Sequence, residues 1–465
     1  MSTIGPDLPG PQLFDLIMLA AENAHHSCLE LDPPIPSSPT VNQLPCETLS
    51  EIFSLSVSKP VLFPFTSSPP QAPWTLTQVC SNWRNVALNM PNLWNSIDIF
   101  LSHDIKDSCD SLVCTIHEFL RRAGDSLISL TLGVEGNPLP PALSIIMYHM
   151  KDYFTRLRHL RVHPAEIEIL LEILRVSMID LETLSLSFGC ESSIDHSMLQ
   201  ALPIPDVAVF HRSPKLRSLV VSNNHRHFHL NPLGLRIPWS QLTHLSFARI
   251  VIDFAEGHMV LRQCVNLTSL GLRISSDSHC TFPFPDTPLP RLKRLKVFTH
   301  TIEMCGQFLQ PFVLPSLKHL DIWSESRAIW PVEGPPVLNA ASLRNLESLL
   351  VNHMEPAAVL VFLTNTPSLV TLYLHSVKTT ECLDELTATI RDCKVTPKLE
   401  VLESDASVVD SLVNILEKRG ISKDEDPSPS ATIAYVAVHK CPADFSAIEE
   451  CLSRFRDQGI EIEFL

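Results

Sequence analysis

The sequence is poor in glycine, with only 13 glycines among 465 residues. Glycine-rich loops are typical of nucleotide-binding folds, because glycine lets the backbone come close to a phosphate group. The scarcity therefore argues against such folds. The short signatures of serine hydrolases, zinc peptidases and P-loop proteins are also missing from the sequence. We therefore expect no catalytic residues, no cofactor and no bound metal, and we expect that the chain is not an enzyme.

Positive charge and long apolar runs are lacking as well. The formal net charge is −16, and no basic run offsets it, so we expect no nucleic-acid partner. No uninterrupted apolar stretch approaches the roughly 20 residues that a membrane helix needs. The first residues lack the basic start and apolar centre of a signal peptide. These features predict no association with a membrane and a location in the cytoplasm, the nucleus or both.

Cysteine pairs at metal-binding or redox spacing are also missing. The 13 cysteines are odd in number and none forms a C-x-x-C pair, which predicts reduced, mostly buried thiols rather than a disulfide framework. Three histidines alternate along one short segment, as His225, His227 and His229. Such alternation places side chains on one side of a strand, but no fourth ligand lies nearby in sequence. We favour an exposed polar segment over a metal site.

Proline is abundant, with 38 residues, and it divides the N-terminal part of the chain. Residues 1–42 are predicted to form a helix over 11–31 and then a linker rich in proline and serine. Residues 43–99 are predicted to form a helical module. Its first helix starts after Pro45, and its second extends over 75–90 with one continuous apolar face until Pro91 ends it. Between these helices, prolines exclude a helix over 59–74.

A short phrase, L-x-x-L-x-Φ with Φ apolar, recurs through residues 100–404. Intact copies begin at Leu127, Leu157, Leu181, Leu216, Leu242, Leu267, Leu292, Leu317, Leu346 and Leu369, and a degraded copy begins at Leu399 and ends in Ser404. The copies are 23 to 35 residues apart, and three successive steps from Leu242 are 25 residues each. This period is typical of leucine-rich repeats.

Each repeat is predicted to form one strand, because the second leucine and Φ are two residues apart and so face the same side. Stacked repeats would share a core and form a parallel sheet on a concave side. Some returns between strands have helical patterns, over 165–176, 356–365 and 382–391, whereas 282–290 is interrupted by proline. Residues 405–465 are predicted to cap the array with a helix over 408–420, a loop over 421–429, and then a strand, a helix and a last strand. The fold class is therefore α/β: a small N-terminal helical module followed by an irregular leucine-rich-repeat solenoid with a parallel sheet.

A cluster of cations over residues 291–296 alternates with apolar residues of one repeat. Its members are Arg291, Lys293, Arg294 and Lys296. They could bind an acidic patch on a partner, but we favour the simpler reading that they form the solvent side of a strand. The other predicted outward positions are mixed in character: His159, Ser185, His244, His319 and Ser348. No substrate can be read from them.

The block 44–97 resembles an F-box. LPCETLSEIF looks like the opening of that family, and VCSNWRNVA followed by PNLW looks like its second half. The resemblance implies a small helical module that docks the Skp-type adaptor subunit of a cullin-based (SCF-type) ubiquitin ligase. The residues it assigns to docking are Leu44, Pro45, Leu49, Ile52, Val79, Cys80 and Trp83. For Trp83 and also Trp94, packing inside the module is at least as good an explanation.

The resemblance and the repeats together predict an intracellular ubiquitin ligase adaptor, whose repeats select an unknown protein substrate. The alternative is a leucine-rich-repeat scaffold for protein–protein interaction that has no association with a ligase. The two differ in whether the block 44–97 binds a Skp-type subunit.

Overall fold

The computed structural model describes residues 44–57, 59–63, 72–101, 109–134, 141–163, 177–188, 213–223, 237–274, 285–299, 302–324, 338, 340–376, 382–393, 395–405, 408–419, 432–439 and 446–464. The predicted helix over 11–31, the linker over 32–42, the three alternating histidines, the return over 165–176 and the loop over 421–429 lie outside these residues. The chain divides into two compact units. The first comprises residues 1–192 and 212–215, and the second comprises 193–211 and 216–465.

The first unit begins with a helical block. The helices of the block, within residues 44–97, are α1 (Cys46–Ser56), α2 (Leu76–Val79) and α3 (Ser81–Leu88), and a 3₁₀ turn follows at Pro91–Trp94. After the block the unit contains α4 (Cys109–Arg122), α5 (Pro141–Met150) and a 3₁₀ segment at Lys151–Arg156. Its strands are β1 (Val61–Phe63), β2 (Ser96–Leu101), β3 (Ile128–Val134), β4 (Leu157–His163) and β5 (Thr183–Phe188). These strands pair in chain order, and all pairs are parallel.

The prediction of one continuous helix over 75–90 is wrong. The backbone is extended at Cys80, with φ −155° and ψ 173°, so α2 ends there and α3 begins. The Cys80 Sγ accepts a hydrogen bond from the backbone N–H of Trp83 at 3.4 Å and thereby caps α3. Periodicity missed the break because the apolar positions continue in helical spacing on both sides of it.

The second unit continues the repeat pattern. Its strands are β6 (Ser218–Asn223), β7 (His244–Ile252), β8 (Ser269–Ile274), β9 (Thr287–Pro288), β10 (Arg294–Thr299), β11 (Phe312–Val313), β12 (His319–Ser324), β13 (Ser348–Asn352), β14 (Thr371–His375), β15 (Val401–Asp405), β16 (Tyr435–His439) and β17 (Glu461–Phe464). Its helices are α6 (Phe254–Leu261), α7 (Ile302–Leu309), α8 (Ala340–Leu343), α9 (Pro356–Thr364), α10 (Cys382–Arg391), α11 (Val409–Arg419) and α12 (Ser446–Arg456). The predicted helical returns over 356–365 and 382–391 are confirmed, and so are the helix, strand, helix and last strand predicted after residue 405.

The pairing of these strands follows the repeated leucines. Leu295 on β10 is the register partner of Leu270 on β8 and of Leu320 on β12, and the ladder continues through each later repeat. In the degraded copy Leu402 occupies the same register position. On β16 and β17 that position is occupied by Val436 and Ile462. All of these side chains are buried. The chain therefore has the predicted α/β leucine-rich-repeat fold with a parallel sheet.

Polar side chains at the turns tie each repeat to the one before it. The amide of Asn266 donates to the carbonyl oxygen of Ser240 at 2.8 Å, and that of Asn345 donates to Pro315 at 2.9 Å. The hydroxyl of Thr268 donates to the carbonyl oxygen of Thr243 at 2.9 Å. The bonds from Asn266 and Asn345 give a partner to turn carbonyls, whereas the Thr268 hydroxyl adds to the backbone N–H groups of Thr268 and Ser269, which also donate to the Thr243 carbonyl oxygen.

The cysteines depart from expectation. Seven cysteine side chains are described and all seven are free thiols, but of these only Cys264 and Cys305 are buried, whereas Cys46, Cys114 and Cys451 are exposed. The prediction of mostly buried thiols is therefore wrong for the described part of the chain. Burial raises the pKa of the Cys264 and Cys305 thiols to about 12, so both stay protonated at neutral pH. Within the described ranges, no helix has the length and apolar character to cross a membrane.

Candidate protein-interaction sites

The helical block has its own small core. Leu49 and Phe53 are the buried residues of α1, and the ring of Phe53 meets that of Trp83 edge-on at 5.0 Å. Trp94 is fully buried, and its indole Nε1–H donates to the carbonyl oxygen of Ala87 at 2.9 Å. A buried indole needs such a partner, so the bond fixes the 3₁₀ turn against the end of α3. Both tryptophans therefore pack inside the block.

The seven residues that the resemblance assigns to docking fall into two groups. Leu49 and Trp83 are buried in the block. The other five remain accessible: Pro45 and Val79 are exposed, and Leu44, Ile52 and Cys80 are half-buried. Only the accessible group is available to a partner without rearrangement, and the docking role of all seven stays a prediction.

Two exposed apolar residues of the block were not assigned to docking from the sequence. Leu55 on α1 is 67% exposed, and Leu88 on α3 is exposed as well. Leu55 follows Ile52 by three residues, and Pro45 precedes Ile52 by seven, so the three lie along one side of the helix. This helical spacing was the sequence signal that could have assigned Leu55 to the same side of α1. We use the name apolar surface of the block for its accessible apolar residues, which are Pro45, Ile52 and Leu55 along one side of α1 and Val79 at the end of α2.

An aromatic cluster joins the block to the first repeat. Trp94 contacts Trp74 at 5.1 Å and Phe119 of α4 at 5.5 Å, and Phe63 of β1 contacts Phe119 at 5.6 Å. The guanidinium of Arg122 lies over the rings of Trp74 and Trp94, at 4.7 and 4.6 Å from their centroids. Strand β2 also pairs with β3, so the block and the first repeat share a sheet and a core.

Hydrogen-bonded ion pairs lie on the solvent side of this junction. Glu118 of α4 accepts hydrogen bonds from Arg121 at 2.7 Å and from Arg122 at 3.0 Å. The bond from Arg121, together with that from Arg122, lowers the pKa of Glu118 to about 2. The carboxylate therefore stays charged at neutral pH, and it orients Arg122 toward the two tryptophans.

The second unit has an open sheet face, because side chains alternate between buried and half-exposed along its strands. The outward side chains of β8 and β10 include three cations, at Arg273, Arg294 and Lys296. Lys296 lies over the rings of Phe298 and Trp323, 5.1 and 5.2 Å from their centroids. The predicted solvent side of this strand is therefore partly a cation–π site, which the sequence pattern did not reveal.

The opposite end of the open face is acidic. Its carboxylates on β15 and β17 are Glu403, Asp405, Glu461 and Glu463. Asp405 accepts hydrogen bonds from the backbone N–H of Ser376 at 2.7 Å, and it lies 3.4 Å from His375 Nδ1. The Glu403 Oε2 lies 3.0 Å from His439 Nε2.

Between the two ends, aromatic and imidazole rings contact one another across the strands. Phe298 stacks on Trp323 at 6.1 Å, Trp323 stacks on His375 at 6.3 Å, and His375 meets His439 at 4.9 Å. We call these four residues the aromatic row. Burial raises the pKa of the neighbouring Asp321, although the charge of Lys296 opposes the shift. Within the described residues, no group of three or more His, Cys, Asp or Glu side chains is arranged to hold a metal ion.

The repeated ladder and turn bonds define a leucine-rich-repeat fold. No protein-family model matches the chain, and no curated protein matches it. Among solved structures, a chain of the yeast Rad7 and Elc1 complex is 14% identical, with a TM-score of 0.40 over 92% of this chain and 88% of that one.

Two further structures are less similar in their coordinates. The leucine-rich-repeat ectodomain of the plant receptor kinase GASSHO1/SCHENGEN3 from Arabidopsis thaliana, in complex with CASPARIAN STRIP INTEGRITY FACTOR 2, is 15% identical, with a TM-score of 0.27 over 70% of this chain and 40% of that one. A protein from Bacteroides fragilis is 12% identical, with a TM-score of 0.27 over 82% and 76% of the two chains. Values this low support no conclusion about this chain, and its fold is assigned from its own strand pairing.

Proposed function

We propose that the chain is a substrate-recognition adaptor of a cullin-based ubiquitin ligase, which acts by binding alone. The helical block would dock a Skp-type adaptor subunit, and the repeats would hold a protein substrate. The observation that carries the proposal is the apolar surface of the block. Pro45, Leu55 and Val79 stay exposed although the core of the block is already closed by other side chains.

An exposed apolar surface on a small helical block is what a helix-docking partner requires. Interfaces of this kind depend on a few apolar anchors, which become buried when the partner binds. Val79 is 43% exposed and Leu55 is 67% exposed, so both have apolar area that a partner can still bury. Isolated exposed apolar residues are common on protein surfaces, whereas a group on one side of a helix points to a contact.

The junction with the first repeat supports an adaptor role. Because Phe63, Trp94 and Phe119 pack together, the block cannot turn freely on the repeat that follows it. A subunit docked on the block would therefore keep a fixed position relative to the first repeat. This is useful for a protein that must present a bound substrate to a catalytic partner.

The test uses the full chain and a purified Skp-type subunit, because a fragment ending near residue 110 would lose Phe119 and Arg122 from the core of the block. Pro45→Asp places a charge on the apolar surface, and aspartate at the N-cap position favours helix formation. A loss of binding in this variant is therefore not explained by unfolding of α1. We expect an affinity reduced at least about tenfold, measured by isothermal titration calorimetry.

A valine pair supplies the matched control. Val79→Asp changes the apolar surface, whereas Val361→Asp changes a valine of α9 that is 46% exposed. We expect the first substitution to weaken binding and the second to leave it unchanged. The proposal fails if the wild-type chain binds no Skp-type subunit, or if both valine variants bind like the wild type.

The alternative function is a repeat-based scaffold without a ligase. The open face of the second unit favours it as much as it favours the adaptor, because that face involves no residue of the block. In that case the chain would bind a protein partner, and the Pro45→Asp variant would behave like the wild type in every binding assay.

A further inference from the structure

We propose that the open face of the second unit binds an extended polypeptide segment with acidic residues at one end, basic residues at the other and an apolar or aromatic residue between them. This inference rests on the proposed role of the repeats in holding a protein partner. It adds the chemical character of that partner and the strands on which it lies.

The first argument is the separation of charge across the face. The outward positions of β8 and β10 hold Arg273, Arg294 and Lys296 and no carboxylate. From β13 to β17 the described outward positions hold the carboxylates of Glu403, Glu461, Glu463 and the buried Asp405, and no lysine or arginine. Between the two groups, Asp321 on β12 is a half-buried carboxylate next to Lys296. A partner with the opposite arrangement is attracted in one orientation and repelled in the reverse one, since charge complementarity fixes register.

The second argument is the character of the middle strands. Trp323, Leu350 and Tyr373 are half-buried outward residues of β12, β13 and β14, and the aromatic row crosses the same strands. Half-buried aromatic side chains lose little conformational freedom when a ligand covers them, so they are effective binding anchors. An apolar or aromatic side chain of the partner fits this region better than a charged one.

The third argument concerns two covered polar atoms. Within the described residues, Trp323 Nε1 and Asn352 Oδ1 are covered and have no hydrogen-bond partner. Trp323 and Asn352 are register partners on β12 and β13, and the stacked rings of Trp323 and His375 lie on either side of Asn352. One atom is a donor and the other an acceptor, and a peptide group offers both complements.

The strand order sets the length of the segment. Strands β10 and β15 are four steps apart in the sheet and β10 and β17 are six steps apart. At about 4.8 Å per step these spans are roughly 19 and 29 Å, and an extended chain advances about 3.3 Å per residue. The acidic and basic residues of the partner should therefore lie about six to nine residues apart.

The probes are three labelled 12-residue peptides of identical composition, each with two glutamates, two arginines and a Gly/Ser spacer that carries one leucine and one tyrosine. Two peptides separate the charges, one with glutamates first and one with arginines first, and the third alternates them. Fluorescence anisotropy with the full chain should show at least about tenfold tighter binding of one charge-separated peptide than of the alternating peptide. Equal binding of all three, or no binding of any, overturns the proposal.

Two lysines give a matched pair of variants. Lys296→Glu reverses a charge on the open face, whereas Lys293→Glu makes the same change at an exposed position before the strand begins. We expect the first to weaken binding of the preferred peptide about tenfold or more and the second to change it little. Similar effects of both variants would contradict a site on this face. Pro45→Asp should leave peptide binding intact, and Lys296→Glu should leave binding of the Skp-type subunit intact, so failure here is distinct from failure of the adaptor proposal.

Discussion

The helical block at 44–97 and the strands of the second unit both bury large apolar side chains, but with different residues in different arrangements. Where the block packs on α4, a few aromatic rings meet at one place, and Trp94, Trp74 and Phe119 lie within 6.3 Å of one another. In the strands, one position of every repeat is filled by the same kind of side chain, which lies in register with its counterparts on the two adjacent strands. Burial is therefore concentrated in the block and distributed in the array.

This difference affects how each region responds to damage. In a repeat array, stability is approximately a sum of terms for each repeat and for each interface between neighbours. Loss of one leucine then weakens a local stretch. In the block, one ring serves several contacts at once, so its loss disturbs α3, the 3₁₀ turn and the junction with α4 together.

The largest effect is expected for Trp94→Ala. The substitution removes a fully buried ring and leaves the carbonyl oxygen of Ala87 without its indole donor. We expect a loss of about 4 kcal/mol in the free energy of unfolding of the first unit. Hydrogen exchange measured by mass spectrometry in urea should show faster exchange across both α3 and α4.

The matched change in the array is Leu320→Ala, which we expect to cost about 3 kcal/mol. Its effect should stay within β12 and the neighbouring strands β10 and β13. If Trp94→Ala costs less than about 1 kcal/mol, or if Leu320→Ala spreads through the whole second unit, the contrast between concentrated and distributed burial is wrong.

The next effect concerns an aromatic contact inside the array. His258 of α6 is buried, and it stacks on Phe312 at 4.8 Å and lies 4.7 Å from Phe308. Burial lowers the pKa of His258 to about 4, against a backbone hydrogen bond at Phe308 that raises it. The folded state therefore binds the proton more weakly than the unfolded state, whose histidine has a pKa of about 6.5. Its contribution to stability is present above pH 6.5 and is lost as the pH falls toward 4.

His258→Phe should remove this dependence. Between pH 7 and pH 4 the wild type should lose about 3 kcal/mol more of its free energy of unfolding than the variant does. Urea denaturation at both values of pH measures the difference. Equal losses in the two proteins would show that His258 is not held neutral in the folded state.

The comparison also separates what the sequence could predict from what it could not. Strand positions and register were predictable because the leucines recur at nearly constant spacing and each must face the shared core. Leu402 and its neighbours show that even the degraded copy keeps its place. The pairing of β2 with β3 was not predictable from the phrase, because Trp94 and Ile97 stand where the phrase has its two leucines.

The candidate sites were predictable in a different way. The resemblance named residues of the block, but it could not separate buried Leu49 from exposed Val79, because burial depends on what packs over each side chain. The aromatic row could not be predicted from the sequence. Trp323 and His375 are far apart along the chain, and they meet only because β12 and β14 lie on either side of β13. Local periodicity contains no information on such contacts.

A smaller effect on stability is expected in the degraded copy, where a serine replaces the last apolar residue of the phrase. Ser404 is fully buried on β15, where the other copies have an apolar residue, and its register partner on β14 is Leu374. Ser404→Val adds apolar surface to a region that is otherwise apolar, so we expect a gain of about 1 kcal/mol in stability. Ser404→Ala is the control, because it removes the hydroxyl without adding volume. A loss of stability in the valine variant alone would show that this position has no room for a larger side chain.

The smallest expected effect is that of Cys80→Ala on stability. Its sign depends on whether the helix is interrupted at Cys80. If Cys80 lay inside one continuous helix, Cys80→Ala would stabilise the block, because alanine has the highest helix propensity. With Cys80 as the N-cap of α3, alanine removes the acceptor for the Trp83 N–H and should cost about 0.5 to 1 kcal/mol. Cys80→Ser keeps an acceptor at the same place and should be neutral or slightly stabilising. Urea denaturation of the two variants measures the difference, and a more stable alanine variant would restore the single helix that periodicity predicts.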